Sequence, residues 1–222
     1  MTTTPIDGNV EQMMANYASR AADATKILMK REIATVLAEL RRKAARSKST
    51  RMNLVIFRLA ACGGLRASEI AQLQLGDVRL ELPRPHLRIR ASASKGGRPR
   101  MVPLWWDRGT FDDLVAWRDD RLARGAKKAD PFVCSWRTDR EKMVFSRHTL
   151  RKRFRTACKV LGPERLKTLT IHHGRHTFIS HALAGGRTLA EVRDAAGHSN
   201  VSITSIYLHV AVEEEGLGSL FG

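Results

Sequence analysis

The sequence of 222 residues predicts a mostly α-helical chain with a small three-stranded antiparallel β-sheet. Three observations carry that prediction. Apolar residues recur at three- and four-residue steps over most of the length, the spacing of helices with one buried face. One stretch alone, about residues 78 to 104, carries the period of two and the Gly/Pro turn signals of strands. Glycine and proline otherwise fall at the ends of helical stretches, and neither occurs between Gly8 and Gly63. With 43% apolar residues the chain has enough material for a core.

Each element follows from local pattern. Val10, Met13, Met14, Tyr17, Ala21, Ala24 and Leu28, continued by Ile33, Val36, Leu37 and Leu40, mark one amphipathic helix or two. The basic run from Arg41 to Lys48 then reads as a connector, so residues 1–49 form a short N-terminal helical segment and residues 50–222 the main domain with a C-terminal tail. A helix over Met52 to Cys62 stops at Gly63-Gly64, and a short one runs from Ser68 to Leu73. Val78 to Leu82, the alternating Leu87, Ile89 and Ala91, and Met101 to Leu104 are the strands, with Pro99 and Pro103 marking the last as an edge. Thr110 to Asp113 resembles a capping box for a helix whose face holds Phe111, Leu114, Val115 and Leu122. Phe132-Val133-Cys134 reads as a short extended piece. From Ser146, the stripe Leu150, Phe154, Ala157 and Leu161 marks a helix that also carries Arg147, Arg151, Lys152, Arg153, Arg155 and Lys159. A helix around Arg175 ends at Gly185-Gly186, and Thr188 to Glu191 caps a last one that Gly197 terminates.

Charge narrows the function. The 39 Lys and Arg residues outnumber the 22 Asp and Glu by 17, the footprint of a protein that meets a polyanion. Six cations on the helix after Ser146 exceed what solubility requires and point to phosphate contact. The odd, scattered Cys62, Cys134 and Cys158 argue for reduced thiols and against a disulfide framework. No stretch reaches the ~20 apolar residues of a membrane span, Arg58 interrupting the best run. The expectation is a soluble, cytoplasmic protein that binds no membrane.

The chemistry lies in a few motifs. Gly63-Gly64-Leu65-Arg66 is followed by Glu69, and Lys95 sits in a glycine-flanked hairpin turn. His172-His173-Gly174-Arg175-His176 contains His-x-x-Arg. Gly197-His198 follows, and Tyr207 stands nine residues after His198. Taken singly, these residues have plain readings: a salt-bridged arginine, a solvated turn lysine, a tyrosine in an apolar stripe. His172 and His176 also stand at the i, i+4 spacing of a zinc-protease helix, but His173 occupies the place of its catalytic Glu, so no metal is expected. The ordered combination is what carries information. Two arginines, two histidines and a tyrosine suit one task, holding a phosphodiester's charge while a phenol oxygen attacks phosphorus.

At these spacings residues 50 to 212 resemble the catalytic domain of the tyrosine recombinases, the phage integrase and Xer-like family. The resemblance implies that fold and site-specific DNA integration or recombination, as on a mobile genetic element. Tyr207 is then the nucleophile, forming a 3′-phosphotyrosyl bond and releasing a 5′-hydroxyl. Arg66, Arg175 and His198 hold the phosphate, and Glu69 orients Arg66. A phenol with pKa near 10 needs a proton acceptor, a role that falls to His172, while Lys95 protonates the leaving oxygen. No cofactor is required, because the phosphotyrosine conserves the bond energy. The partners implied are double-stranded DNA, further copies of the chain as a tetramer on it, and an accessory protein.

Two features depart from the family. Gly174 stands where an apolar residue, often Leu, is usual, at about 1 kcal/mol of helix propensity. The N-terminal segment is about half of an ordinary DNA-binding domain. The latter favours a different class of function, a non-catalytic DNA-binding remnant that regulates an intact recombinase. A type IB topoisomerase would share the chemistry without site specificity. The tail, acidic at Glu213 to Glu215 and apolar at Leu217, Leu220 and Phe221, resembles segments that family members dock onto a neighbouring protomer.

Overall fold

The computed structural model describes residues 24–94, 96–135 and 143–208. Lys95, the apolar positions from Val10 to Ala21, and the tail from residue 209 onward lie outside the described residues. Helix α1 (Lys30–Ala44) leads into α2 (Lys48–Phe57), which tightens into a π turn at Arg58–Cys62. Short helix α3 (Ala67–Gln72) precedes strands β1 (Val78–Arg79), β2 (His86–Ile89) and β3 (Arg100–Pro103). Helices α4 (Arg108–Ala123), α5 (Arg147–Ala157), α6 (Pro163–Thr168), α7 (Ile171–Ala184), α8 (Leu189–Ala196) and α9 (Val201–Ser205) follow.

The sheet is antiparallel in the order β1-β2-β3, with Val78 opposite Leu87 and Leu87 opposite Val102. Period two holds on β2, where Leu87 and Ile89 are buried and Arg88 is exposed. Pro103 is tolerated because β3 is an edge. Ala91, expected to prolong the strand, instead opens a 3-10 turn.

The N-terminal segment is part of this core. Ile33, Val36, Leu37 and Leu40 of α1 are buried in the same apolar cluster as Phe57, Phe154 and Phe178. The chain before α1 is tied down too. Leu28 N donates to Thr177 Oγ1 (2.9 Å), and the Arg165 guanidinium reaches Ile27 O (2.6 Å) and Glu32 Oε1 (2.8 Å). No break in packing therefore marks a boundary near residue 50. The basic run is not a free connector either. Arg42 and Lys43 pair with Glu39, Arg41 pairs with Asp113, and Ala44 is buried.

Other boundaries moved for identifiable reasons. Helix α2 starts four residues before Met52 because the Ser47 side chain caps it, accepting from Thr50 N (3.2 Å). Helix α4 starts at Arg108 because Asp107 is the cap, accepting from Thr110 N (3.1 Å). Its buried face is Thr110, Leu114, Trp117 and Arg121, and Leu122 is exposed. Arg58, the charge interrupting the apolar run, is fully buried and bridges Asp107 (3.1 Å) and Asp113 (2.8 Å), which is how a core keeps a cation. The three cysteines are buried and unbridged. Among the described residues no helix is long and apolar enough to cross a membrane.

Gly174 has a packing reason that the sequence does not reveal. Helix α7 crosses the π turn so closely that a Cβ at Gly174 would lie 2.9 Å from Ala60 C and 3.0 Å from Ala60 O. Backbone atoms cannot turn aside as a side-chain tip can. Restoring the family's usual residue with Gly174→Leu is therefore expected to destabilise the fold by about 1–3 kcal/mol or more. The propensity gain of under about 1 kcal/mol would not offset this. Chemical denaturation of both proteins checks it; an unchanged or raised midpoint would contradict the close approach.

Candidate active site

Arg66 stands at the N-cap of α3, delivered by the tight Gly63-Gly64 exit from the π turn. One turn later Glu69 is buried at 1% exposure. Its carboxylate accepts from Arg66 N (2.8 Å) and Arg66 Nη1 (3.0 Å), so it fixes both the helix start and the side chain of the arginine. The other partner of Glu69 is Arg100, whose Nη1 and Nη2 each donate at 2.8 Å. Burial alone would raise the Glu69 carboxyl, but the Arg100 bonds and charge, with Arg66, hold it below the ordinary carboxylate value.

Arg100 went unnoticed in the sequence. It begins β3, on the inward face shared with buried Val102, and its Nε donates to Ala195 O (2.9 Å) in the last turn of α8. One guanidinium thus joins the hairpin, α3 and α8. The available signal was its position two residues before Val102 on an alternating strand.

Arg175 sits in the first half of α7 at 3% exposure. Its Nη1 donates to Gly64 O (2.9 Å) and its Nη2 to Ala196 O, so it locks the loop before Arg66 to the end of α8. Burial and then the neighbouring Arg66 pull its guanidinium down to about 9, still charged at neutral pH. Gly197 ends α8 in the left-handed region (φ 68°), and Arg100 lies against it. His198 follows, with Nδ1 3.0 Å from Thr204 Oγ1 on α9. Burial, then Arg175, Arg66 and Arg100, lower its pKa to about 4.

Tyr207 comes just after α9 and is 7% exposed. It and Thr204 form the inward face there, whereas apolar Ile203 is exposed at 41%. Its hydroxyl is hydrogen-bonded to Nδ1 of His176, and the two rings stack with centroids 5.6 Å apart at 28°. Burial raises the phenol pKa, and Arg175 opposes the rise. In the sequence His176 was weighed only as half of a zinc-spaced pair with His172, and the Tyr207 contact gives it a different place in the site. Burial, then His172, His173, Arg175 and Lys26, lower its pKa to about 4.

His172 is exposed and presents its ring edge-on to His176 (4.9 Å, 85°). With Arg66, Thr170, Arg147, Arg151 and Arg155 it lines an open cavity of about 510 Å³. The cationic helix is therefore divided. Arg147, Arg151 and Arg155, at i, i+4 and i+8, face this cavity. Arg153 turns to Ser49 Oγ (2.6 Å) and Asn53 Oδ1 (3.2 Å), so its guanidinium serves the α2–α5 contact. Lys152 and Lys159 are exposed, away from the cavity lining. Ser94 and Gly96, which bracket Lys95, line a second cavity of about 630 Å³ together with His198 and Arg100. Among the described residues no three His, Cys, Asp or Glu side chains converge as a metal site would need.

The buried imidazoles make stability depend on pH. Both His176 and His198 titrate near 4 in the folded chain against an ordinary 6.5, so the unfolded chain binds more protons between those values. Stability arising from their neutral burial is complete above pH 6.5 and is lost as pH falls through 4. Thermal melts from pH 7.5 to 4 should show a drop that is shallower in a His176→Asn, His198→Asn double variant. Equal slopes would refute the assignment.

Comparison with known proteins shows the family and the fold. The model of the phage integrase family matches residues 26–214. Tyrosine recombinase XerC of Corynebacterium efficiens is 34% identical over 161 residues, covering 72% of this chain and 47% of the relative. Tyrosine recombinase XerD of Proteus mirabilis is 33% identical over 163 residues, covering 70% and 46%. The chain thus spans about half the length of the curated relatives it matches. Among solved structures, XerA recombinase superposes with TM-score 0.65 at 22% identity, covering 84% of this chain and 60% of that one. XerH site-specific recombinase in a post-cleavage complex with its difH substrate superposes with TM-score 0.64 at 22% identity, covering 84% and 50%. Both share the fold.

Proposed function

Because the chain belongs to the phage integrase family, the tyrosine recombinases, we propose that it cleaves and rejoins DNA at a specific site through a 3′-phosphotyrosine. The observation that carries this reading is convergence: Arg66, His198 and Tyr207 come from three separate places in the chain into electrostatic reach of buried Arg175. Arg66 and Arg175 bind the non-bridging oxygens of the scissile phosphate. Two of the N–H groups of Arg175 are held by carbonyls, which fixes the direction of the rest. Nδ1 of His198 is paired with Thr204 Oγ1, and in its neutral Nε2–H tautomer the ring donates to the same phosphate. Such fixed donors in a partly water-excluded site stabilise the charge that develops at phosphorus. Tyr207 attacks, the 5′-oxygen leaves with a proton from Lys95, and a 5′-hydroxyl from another strand reverses the step.

Duplex DNA enters along the stripe Arg147, Arg151 and Arg155, whose charges neutralise neighbouring backbone phosphates. The amino end of α7, at Thr170 to His172, adds a positive helix dipole on the same cavity. We assign the catalytic unit to residues from 26 on, since α1 shares its core. The protein then works in the cytoplasm as a tetramer on DNA, without a cofactor and with an accessory protein.

The test is incubation with a pool of nicked duplexes of randomised sequence, followed by isolation and sequencing of covalent protein–DNA adducts. Adducts enriched for one sequence, with joining between two duplexes, are expected. Relaxation of plasmid with no enriched sequence would favour a topoisomerase. Binding without adducts would favour a non-catalytic remnant.

A further inference from the structure

We propose that His176, and not His172, takes the phenol proton of Tyr207 as that residue attacks phosphorus. The inference rests on the reading of Tyr207 as the nucleophile. Nδ1 of His176 is the atom hydrogen-bonded to the Tyr207 hydroxyl, and the stacked rings leave little freedom between the two groups. His172 meets the edge of the His176 ring and faces the open cavity. His176 therefore touches the reacting oxygen, and His172 is its neighbour.

The surroundings of His176 keep its ring unprotonated, so that Nδ1 is open to the Tyr207 hydroxyl. His172, His173 and Arg175 surround it from its own helix, Lys26 from the turn before α1, and Tyr207 from the end of α9. Burial, then these neighbours on its own helix and Lys26, keep the imidazole neutral, and burial keeps the phenol protonated. The hydroxyl then donates to Nδ1, and the ring proton resides on Nε2. A scissile phosphodiester brings one negative charge beside Arg175. It offsets the charge of Arg175 and raises the proton affinity of His176 as the reaction begins. In the step itself the Tyr207 O–H bond breaks and its proton goes to Nδ1, while the oxygen forms the bond to phosphorus. The bond from phosphorus to the 5′-oxygen breaks, and that oxygen leaves as a hydroxyl with the proton of the Lys95 ammonium. Rejoining returns both protons.

Two measurements on the full chain test this. In ¹⁵N-histidine NMR without DNA, His176 should stay neutral down to about pH 4, and Tyr207→Phe should move its Nδ1 resonance. Titration near 6.5 with no response to Tyr207→Phe would overturn the contact. The second measurement is single-turnover adduct formation on a duplex from the randomised pool carrying a 5′-bridging phosphorothiolate, whose thiolate leaves without an acid. His176→Asn keeps an acceptor oxygen near the place of Nδ1 but cannot take up a proton at accessible pH. It should slow this substrate by about 10²–10⁴-fold and remove the acid limb of the pH–rate profile. A wild-type rate and profile in His176→Asn, or a larger loss in His172→Asn, would overturn the proposal. Adducts formed by Tyr207→Phe would instead defeat the nucleophile assignment itself.

Discussion

Tyr207→Phe is expected to reduce covalent protein–DNA adducts by roughly 10⁴-fold or more, while leaving DNA binding unchanged. The substitution removes one atom. The ring remains buried beside His176, so the packing that places α9 is retained. What is lost with the oxygen, besides the nucleophile, is the hydrogen bond to His176, about 1 kcal/mol of stability. A small change in melting temperature with a complete loss of adducts is therefore the expected pair of results. Denaturing gels of protein incubated with the adduct-forming duplex measure the first, and melts the second. Wild-type adduct levels in the Phe variant would end the assignment of Tyr207 as nucleophile.

Arg175→Ala and Arg66→Ala should each slow single-turnover cleavage by about 10²–10³-fold or more, because each removes several donors from the developing charge. The two should differ in stability. Arg175 is buried and holds two carbonyls, Gly64 O and Ala196 O, which its loss leaves unpaired inside the protein. A charge-assisted bond of that kind is worth about 1.5–3 kcal/mol, so Arg175→Ala should melt well below wild type. Arg66 is half-buried and bonded to Glu69, which keeps its Arg100 partner when Arg66 is gone. Arg66→Ala should therefore melt close to wild type. Arg66→Lys should also cleave poorly, since an ammonium does not supply the planar fork. Equal melting of the two Ala variants would refute the structural half of the prediction, and normal cleavage by Arg66→Lys the chemical half.

The motif residues were legible because the chemistry constrains residue type and order. Arg66, Glu69, Arg175, His198 and Tyr207 were named from their sequence and lie together around α3, α7 and the end of α8. Helix ends were legible where their determinant is local, as at Thr188-x-x-Glu191 and Gly197. Where a less obvious cap competed, the boundary moved, as at Ser47 and Asp107.

The cationic helix shows a finer limit. Composition marked six cations alike, and three of them share the cavity with Arg66. The stripe at i, i+4 and i+8 was readable in principle, but which face of the helix meets the site depends on where α3 and α7 lie. Arg100 and His176 show the same limit within the site. Their neighbours in sequence have no bearing on Glu69, Ala195 or Tyr207, from which they are 31, 95 and 31 residues removed.

The sequence by itself determined the fold class and the family, because helical period, turn chemistry and motif spacing are all local properties of the chain. Only the tertiary structure decided that α1 shares the apolar core of the later helices and that Gly174 is a point of backbone contact. It likewise decided that Arg100 ties three elements together and that the Tyr207 hydroxyl rests on His176. The physical reason is common to all four. Burial, close approach and pKa depend on groups brought near by folding across long separations in sequence, and no local pattern encodes which groups those are.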